Sequence, residues 1–143
     1  MPRLQDKPAR SGVPFKFRAF PRARRGEAHA MQRYEFAQLD STAGVSCPCG
    51  TSRRAFATPE NALATTHLVE ISTEARTHYH KRLTETYVIL EGEGFLELDG
   101  ERIPVKPLST ILIRPGCRHR AVGKMKVLNF VVPAFDPEDE WFD

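Results

Sequence analysis

The sequence predicts an all-β domain, an antiparallel sandwich or barrel, preceded by a basic segment. Three observations predict it. From Met31 onward, short β-branched and aromatic runs follow one another at close spacing. Gly, Pro or charged turns separate these runs, and Asp99-Gly100 is the strongest two-residue hairpin signal among them. No long helical period competes, since the longest helix candidate, Pro59 to Thr66, is short.

The first 30 residues scatter Pro2, Pro8, Pro14, Pro21, Gly12 and Gly26 among arginines, with neither a helical nor a strand period. Such a segment buries too little apolar area to offset its ordering entropy, so residues 1–30 read as a disordered basic tail. An arginine-rich, acid-poor start also suggests an organellar transit peptide, but Ser11 is its only serine and its prolines oppose an amphipathic helix. Synthesis starting at Met31 is a third reading. Residues 31–143 read as one barrel domain, with its core at about 60–135.

Within that domain the strand signals come in order. Thr66 to Ile71 is a mixed, half-buried run, and Thr86 to Leu90 is β-branched and aromatic. Glu91-Gly92-Glu93-Gly94 reads as a turn opening the next hairpin, whose first arm is Gly94 to Leu98. Ile103 to Val105, Ser109 to Ile113 and Lys126 to Val132 complete the set, with Phe95, Leu112 and Phe130 as core candidates. Trp141 and Phe142, in the acidic segment from Asp136 onward, are expected to pack on the outside of the body.

Composition narrows the function classes. The chain has 143 residues, 41% hydrophobic and 27% charged, enough for a core without disulfide staples. Three cysteines make an odd count, which argues against a secreted disulfide framework. No run of 18 apolar residues spans a membrane, and no apolar leader precedes the domain, so a cytoplasmic location is expected. The formal charge of +3 invites a nucleic-acid partner, but residues 1–30 carry +6 and residues 31–143 carry −3. The basic character belongs to the tail, and no nucleic-acid or membrane partner is expected.

His78-Tyr79-His80 is the sharpest local feature. Residues two apart on a strand share a face, so both imidazoles point the same way. Glu85 follows after four residues and Gly92 after six more, while Arg114-Pro115-Gly116-Cys117-Arg118-His119 sets a third histidine just beyond a rigid turn. Taken singly, a His-x-His pair, a glutamate between threonines and a Pro-Gly turn are ordinary surface features. Together, neutral imidazoles and a carboxylate suit a divalent first-row metal.

With these residues in place, the sequence resembles the cupin superfamily. The first family motif reads Gly, five residues, His-x-His, three or four residues, Glu, six residues, Gly. His78, His80, Glu85 and Gly92 match it, and Ser72 stands in place of the leading Gly. The second reads Gly, five residues, Pro-x-Gly, two residues, His, three residues, Asn. Gly116 and His119 match, while Leu108, Arg114 and Gly123 replace the Gly, Pro and Asn. The departures fall on turn-shaping positions, and residues 93–107 between the motifs leave room for one hairpin.

The resemblance implies a double-stranded β-helix, or jelly-roll barrel, with a metal held in one mouth. It implies His78, His80, Glu85 and His119 as ligands to one divalent ion (iron, manganese, nickel or zinc), with coordination positions left open. An open shell is the basis of metal-assisted catalysis. It therefore implies a small-molecule metalloenzyme, with dioxygenation of a small organic acid or thiol ahead of sugar-phosphate isomerisation or epimerisation. The alternative is a non-catalytic module that binds or senses a small ligand. A homodimer is also implied, since such barrels commonly pair strand edges.

Other residues are candidates for substrate contact. Arg76 shares the strand parity of His78 and His80, Tyr87 that of Glu85, Cys117 lies two residues before His119, and Arg120 follows it directly. One inward guanidinium would favour a carboxylate or phosphate. Arg118 is expected on the rim. Cys47-Pro48-Cys49-Gly50 lacks the spacing of a zinc pair and reads as a turn at the barrel edge, and His67 needs no metal role.

Overall fold

The computed structural model describes residues 33–47, 50–72 and 75–143. The basic segment 1–30, Cys49 and the proposed start at Met31 lie outside the described residues. The described chain forms seven strands: β1 (Gly44–Cys47), β2 (Gly50–Ala55), β3 (Thr65–Ile71), β4 (Thr84–Leu98), β5 (Glu101–Val105), β6 (Thr110–Ile113) and β7 (His119–Val132). Every pairing is antiparallel, in the order β1-β2-β3-β7-β4-β5, with β6 also on β4. This is the all-β jelly-roll barrel that the sequence predicts. No helix among the described residues is long and apolar enough to cross a membrane.

The central strand is longer than the sequence suggests. Thr86–Leu90 and Gly94–Leu98 are one strand, β4, and Glu91 to Gly94 is a bend inside it and not a turn. The β4–β7 register slips between Ile89 and Glu91, which inserts one residue into β4. An odd insertion reverses side-chain parity, so Ile89 and Leu96, seven residues apart, both face inward and are fully buried. Gly92 supplies the bend: its φ is +78°, and a Cβ there would lie 2.2 Å from the Lys124 carbonyl oxygen. β5 and β6 then flank different halves of β4, while β7 runs along its length.

The Asp99-Gly100 hairpin joins β4 to β5 as predicted, with both residues at positive φ. Pro59 to Thr66 is not helical. Asn61 donates to the carbonyls of Phe56 (2.8 Å) and Ala64 (2.7 Å), which closes a turn, and Thr65 and Thr66 already belong to β3. A side chain that offers the backbone such bonds competes with helix formation.

The apolar core is Ile71, Ile89, Leu96, Val105, Ala121, Met125 and Val127, with Val69, Tyr87, Leu98 and Ile111 packed against it. Phe95, Leu112 and Phe130 are not core residues. They occupy the opposite parity to Leu96, Ile113 and Val131 and are exposed on the outer face. The Arg102 guanidinium covers the Phe95 ring at 4.1 Å.

Candidate metal centre

Three segments bring the four predicted ligand residues together. His78 and His119 exchange backbone hydrogen bonds of 3.1 and 2.8 Å, which docks the His78–His80 segment on the start of β7. The Gly116 N–H donates to the His80 carbonyl at 2.7 Å, so the turn before His119 also grips that segment. Glu85 enters from the second position of β4. One candidate donor atom from each of His78, His80, Glu85 and His119 lies within 4.8 Å of the others.

Hydrogen bonds orient these atoms. His78 Nδ1 lies 3.1 Å from the Arg76 carbonyl, His80 Nδ1 2.8 Å from that of Asp139, and His119 Nδ1 3.0 Å from that of Cys117. A carbonyl only accepts, so each imidazole carries its proton on Nδ1 and, when neutral, presents a bare Nε2 lone pair. Metal-binding histidines are oriented in this way. Asn129 donates to Glu85 Oε1 at 2.7 Å, which leaves Oε2 facing His119 Nε2 at 2.9 Å and His80 Nε2 at 3.5 Å. His80 Nε2, Glu85 Oε2 and His119 Nε2 are all buried without a hydrogen-bond partner. Three converging lone pairs repel one another unless a cation, proton or metal, lies among them.

The titration pattern has the same origin. Burial raises the pKa of the Glu85 carboxyl, but His119 and His80 outweigh it and hold the group well below the usual carboxylate range. Burial opposes charge on His80 too, yet contact with Glu85 raises its pKa on balance. His78 is pushed down to about 4 by burial and by His119 beside it. It is therefore neutral at pH 7.

The C-terminal segment braces this end of the barrel instead of merely covering it. Asp139 is buried and accepts from the backbone N–H groups of Lys81 (3.2 Å), Arg82 (2.9 Å) and Leu83 (3.1 Å). Tyr79 bridges to Trp141, and the Trp141 indole N–H donates to Asp139 Oδ1 at 3.3 Å. The residue whose carbonyl orients His80 thus clamps the turn between His80 and Glu85.

A cavity of about 60 Å³ adjoins the cluster. Val69, Ile71, Ala121 and Val127 give it an apolar floor; Ser52, Arg54, His67, Tyr87 and Asn129 give it polar walls. Of the substrate-contact candidates, only Tyr87 lines it. Arg76 is exposed and its guanidinium stacks 4.2 Å over Phe142, because the chain is not a regular strand back to that residue. Arg120 faces outward from β7 and pairs with Glu97 at 2.6 Å. Cys117 contributes its carbonyl and not its thiol, whose pKa is raised by burial and by Asp99. Arg118 pairs with Asp143 on the rim, as expected. Cys47, at the turn into β2, lines the cavity, as does His67, which the sequence pattern passed over.

Comparison with known proteins agrees with the fold. Residues 66–130 match the model of the cupin domain. The chain belongs to the cupin superfamily. An uncharacterised protein of Methanocaldococcus jannaschii is 34% identical over 76 residues, and the match spans 50% of this chain and 61% of that relative's length. The crystal structure of a protein from Planctomyces limnophilus superposes with a TM-score of 0.71 at 39% identity, covering 79% of this cupin and 98% of that chain. Streptomyces Pac13, a nucleoside dehydratase, superposes with a TM-score of 0.64 at 20% identity, over 78% of this cupin and 95% of Pac13. That last likeness is one of fold.

Proposed function

We propose that this cupin is a metalloenzyme that holds one divalent first-row ion through His78, His80, Glu85 and His119 and acts on a small organic acid or thiol. The observation that carries this reading is the set of partnerless acceptor atoms, His80 Nε2, Glu85 Oε2 and His119 Nε2, behind imidazoles whose Nδ1 atoms are already committed. Three imidazoles and one carboxylate suit iron, manganese, nickel or zinc. Such an ion, when bound, supplies Lewis acidity and, if redox-active, O₂ chemistry. The residues of the chain then orient the substrate on the cavity wall, and the apolar floor excludes bulk water. A cavity of about 60 Å³ favours a small acid or thiol over a sugar phosphate.

Purified protein is expected to carry close to one equivalent of metal by elemental analysis. His80→Ala and His119→Ala should each lose most of it. A wild-type protein that stays metal-free after reconstitution with all four metals overturns the ligand assignment. Oxygen uptake by the iron-loaded form, measured against small acids and thiols, separates enzyme from binding module. Ligand binding without uptake or turnover points to the module.

The reading extends to assembly. Leu112, Phe130 and Val132 are 53%, 41% and 53% exposed on the outer face of β6 and β7. A second copy covering that face gives a homodimer, with a light-scattering mass of twice 16.2 kDa.

A further inference from the structure

One row of side chains crosses four strands of the cavity wall. Arg54 on β2 is directly opposite His67 on β3, His67 is opposite Asn129 on β7, and Asn129 is opposite Tyr87 on β4. All four line the cavity, and Ser52, two residues before Arg54, lines it from the same face of β2. Asn129 serves Glu85, so the β4–β7 end of the row belongs to the metal cluster. The β2–β3 end has no such duty.

Arg54 is the only lysine or arginine among the described lining residues, and no carboxylate among the described residues pairs with it. Its guanidinium carbon lies 4.3 Å over the Phe135 ring. That stack uses the flat face of the group and leaves the N–H donors at its edge. Arg54 Nε is buried without a hydrogen-bond partner, and so is the Ser52 hydroxyl, in a residue only 3% exposed. His67 is buried, with Nε2 3.0 Å from the Thr65 hydroxyl and its ring edge-on to Phe135. Arg54 is half-buried, and a buried guanidinium N–H left without a partner is costly unless a ligand completes it.

We propose that Arg54, with Ser52 and His67 beside it, is a carboxylate-binding subsite that selects small carboxylic acids as substrates. The proposal rests on the metalloenzyme reading for the substrate's other end, which reaches toward His78, His80, Glu85 and His119. Arg54 takes the place that strand parity gave to Arg76 and that closeness to His119 gave to Arg120. Its planar fork matches a carboxylate in two parallel hydrogen bonds. Charge favours a monocarboxylate over a phosphate dianion, because a single fixed cation balances one negative charge rather than two.

The test titrates the full-length protein, metal-loaded and metal-free, with acetate, pyruvate and malonate by calorimetry. Pyruvamide serves as a neutral counterpart and inorganic phosphate as a second anion. Pyruvate is expected to bind about tenfold to a hundredfold more tightly than pyruvamide in both forms. Arg54→Gln should erase that preference at unchanged metal content, and Arg54→Lys should keep part of it. The lysine variant retains the charge over Phe135 and so controls for loss of folding. Equal binding of pyruvate and pyruvamide, an unaltered preference in Arg54→Gln, tighter binding of phosphate, or no binding of any carboxylate overturns the proposal. Failure to hold metal, with the Arg54-dependent preference intact in the metal-free form, overturns the metalloenzyme reading and leaves the subsite standing.

Discussion

On β4, Glu85 and Ile89 point into the same interior four residues apart, and both are almost wholly buried, at 4% and 0% exposure. Ile89 sits among Ile71, Leu96, Val105 and Val127, where shape and apolar area do the stabilising. Glu85 sits among His80, His119 and Asn129, where every atom is held by a directed bond or left waiting for a cation. One end of the interior is therefore complete as folded, and the other keeps buried polar atoms without partners. The contrast teaches where stability and function part company within one sheet.

The widest separation between the two ends should come from Leu96→Ala. Leu96 is fully buried in the apolar half, and removing its side chain is expected to lower stability by roughly 3–5 kcal/mol in urea denaturation. Metal stoichiometry should stay at the wild-type value, because no Leu96 atom supports a ligand. A Leu96→Ala protein that folds but has lost its metal would show that the two ends are not separable.

Asp139→Ala probes the seam between the ends. The carboxylate satisfies the Lys81, Arg82 and Leu83 N–H groups, and the carbonyl of the same residue orients His80. Truncation strands those donors beside the site, and a stability loss of roughly 3 kcal/mol is expected. Metal affinity should fall by about tenfold, because the carbonyl that orients His80 remains but its segment loses the bonds that hold it in place. Unchanged affinity, measured by competition with a chelating dye, would mean that the segment only covers the site.

The same contrast governs what the sequence reveals. The strands of the apolar half were legible because Leu96-Glu97-Leu98 alternates and Asp99-Gly100 fixes a hairpin, but their inward face was not: Phe95, Leu112 and Phe130, named for the core, lie on the outer face. The grouping of His78, His80, Glu85 and His119 was legible because the family motif fixes their spacing along the chain, and their donor atoms do come together. β2 was not legible: its inward residues are Ser52 and Arg54, so a strand that faces a polar cavity carries no apolar alternation. Arg54, His67 and Asn129 are single residues on three strands, and only the sheet register brings them side by side. The bulge in β4 was hidden for a related reason, since an inserted residue breaks the period by which strands are recognised.

The finest comparison is one of pH, and it concerns His67, which lies in the polar half without belonging to the metal cluster. Burial, reinforced by Arg54 across the strand pair, pushes its pKa from 6.5 down to about 4. The unfolded chain, whose histidine keeps its ordinary affinity, takes up the proton first as the pH falls. Stability from this group is therefore present above pH 6.5, declines between pH 6.5 and about 4, and changes no further below that. The expected loss over the window is roughly 3 kcal/mol. His78 contributes a decline over the same window, so the useful quantity is the difference between metal-free wild type and His67→Gln, followed by urea denaturation from pH 7 to 4. The variant should begin less stable at pH 7, because the ring packs against Phe135. It should then converge on wild type as the pH falls. Parallel curves would show that His67 is already solvated enough to titrate normally, and that the β2–β3 wall is wetter than its burial implies.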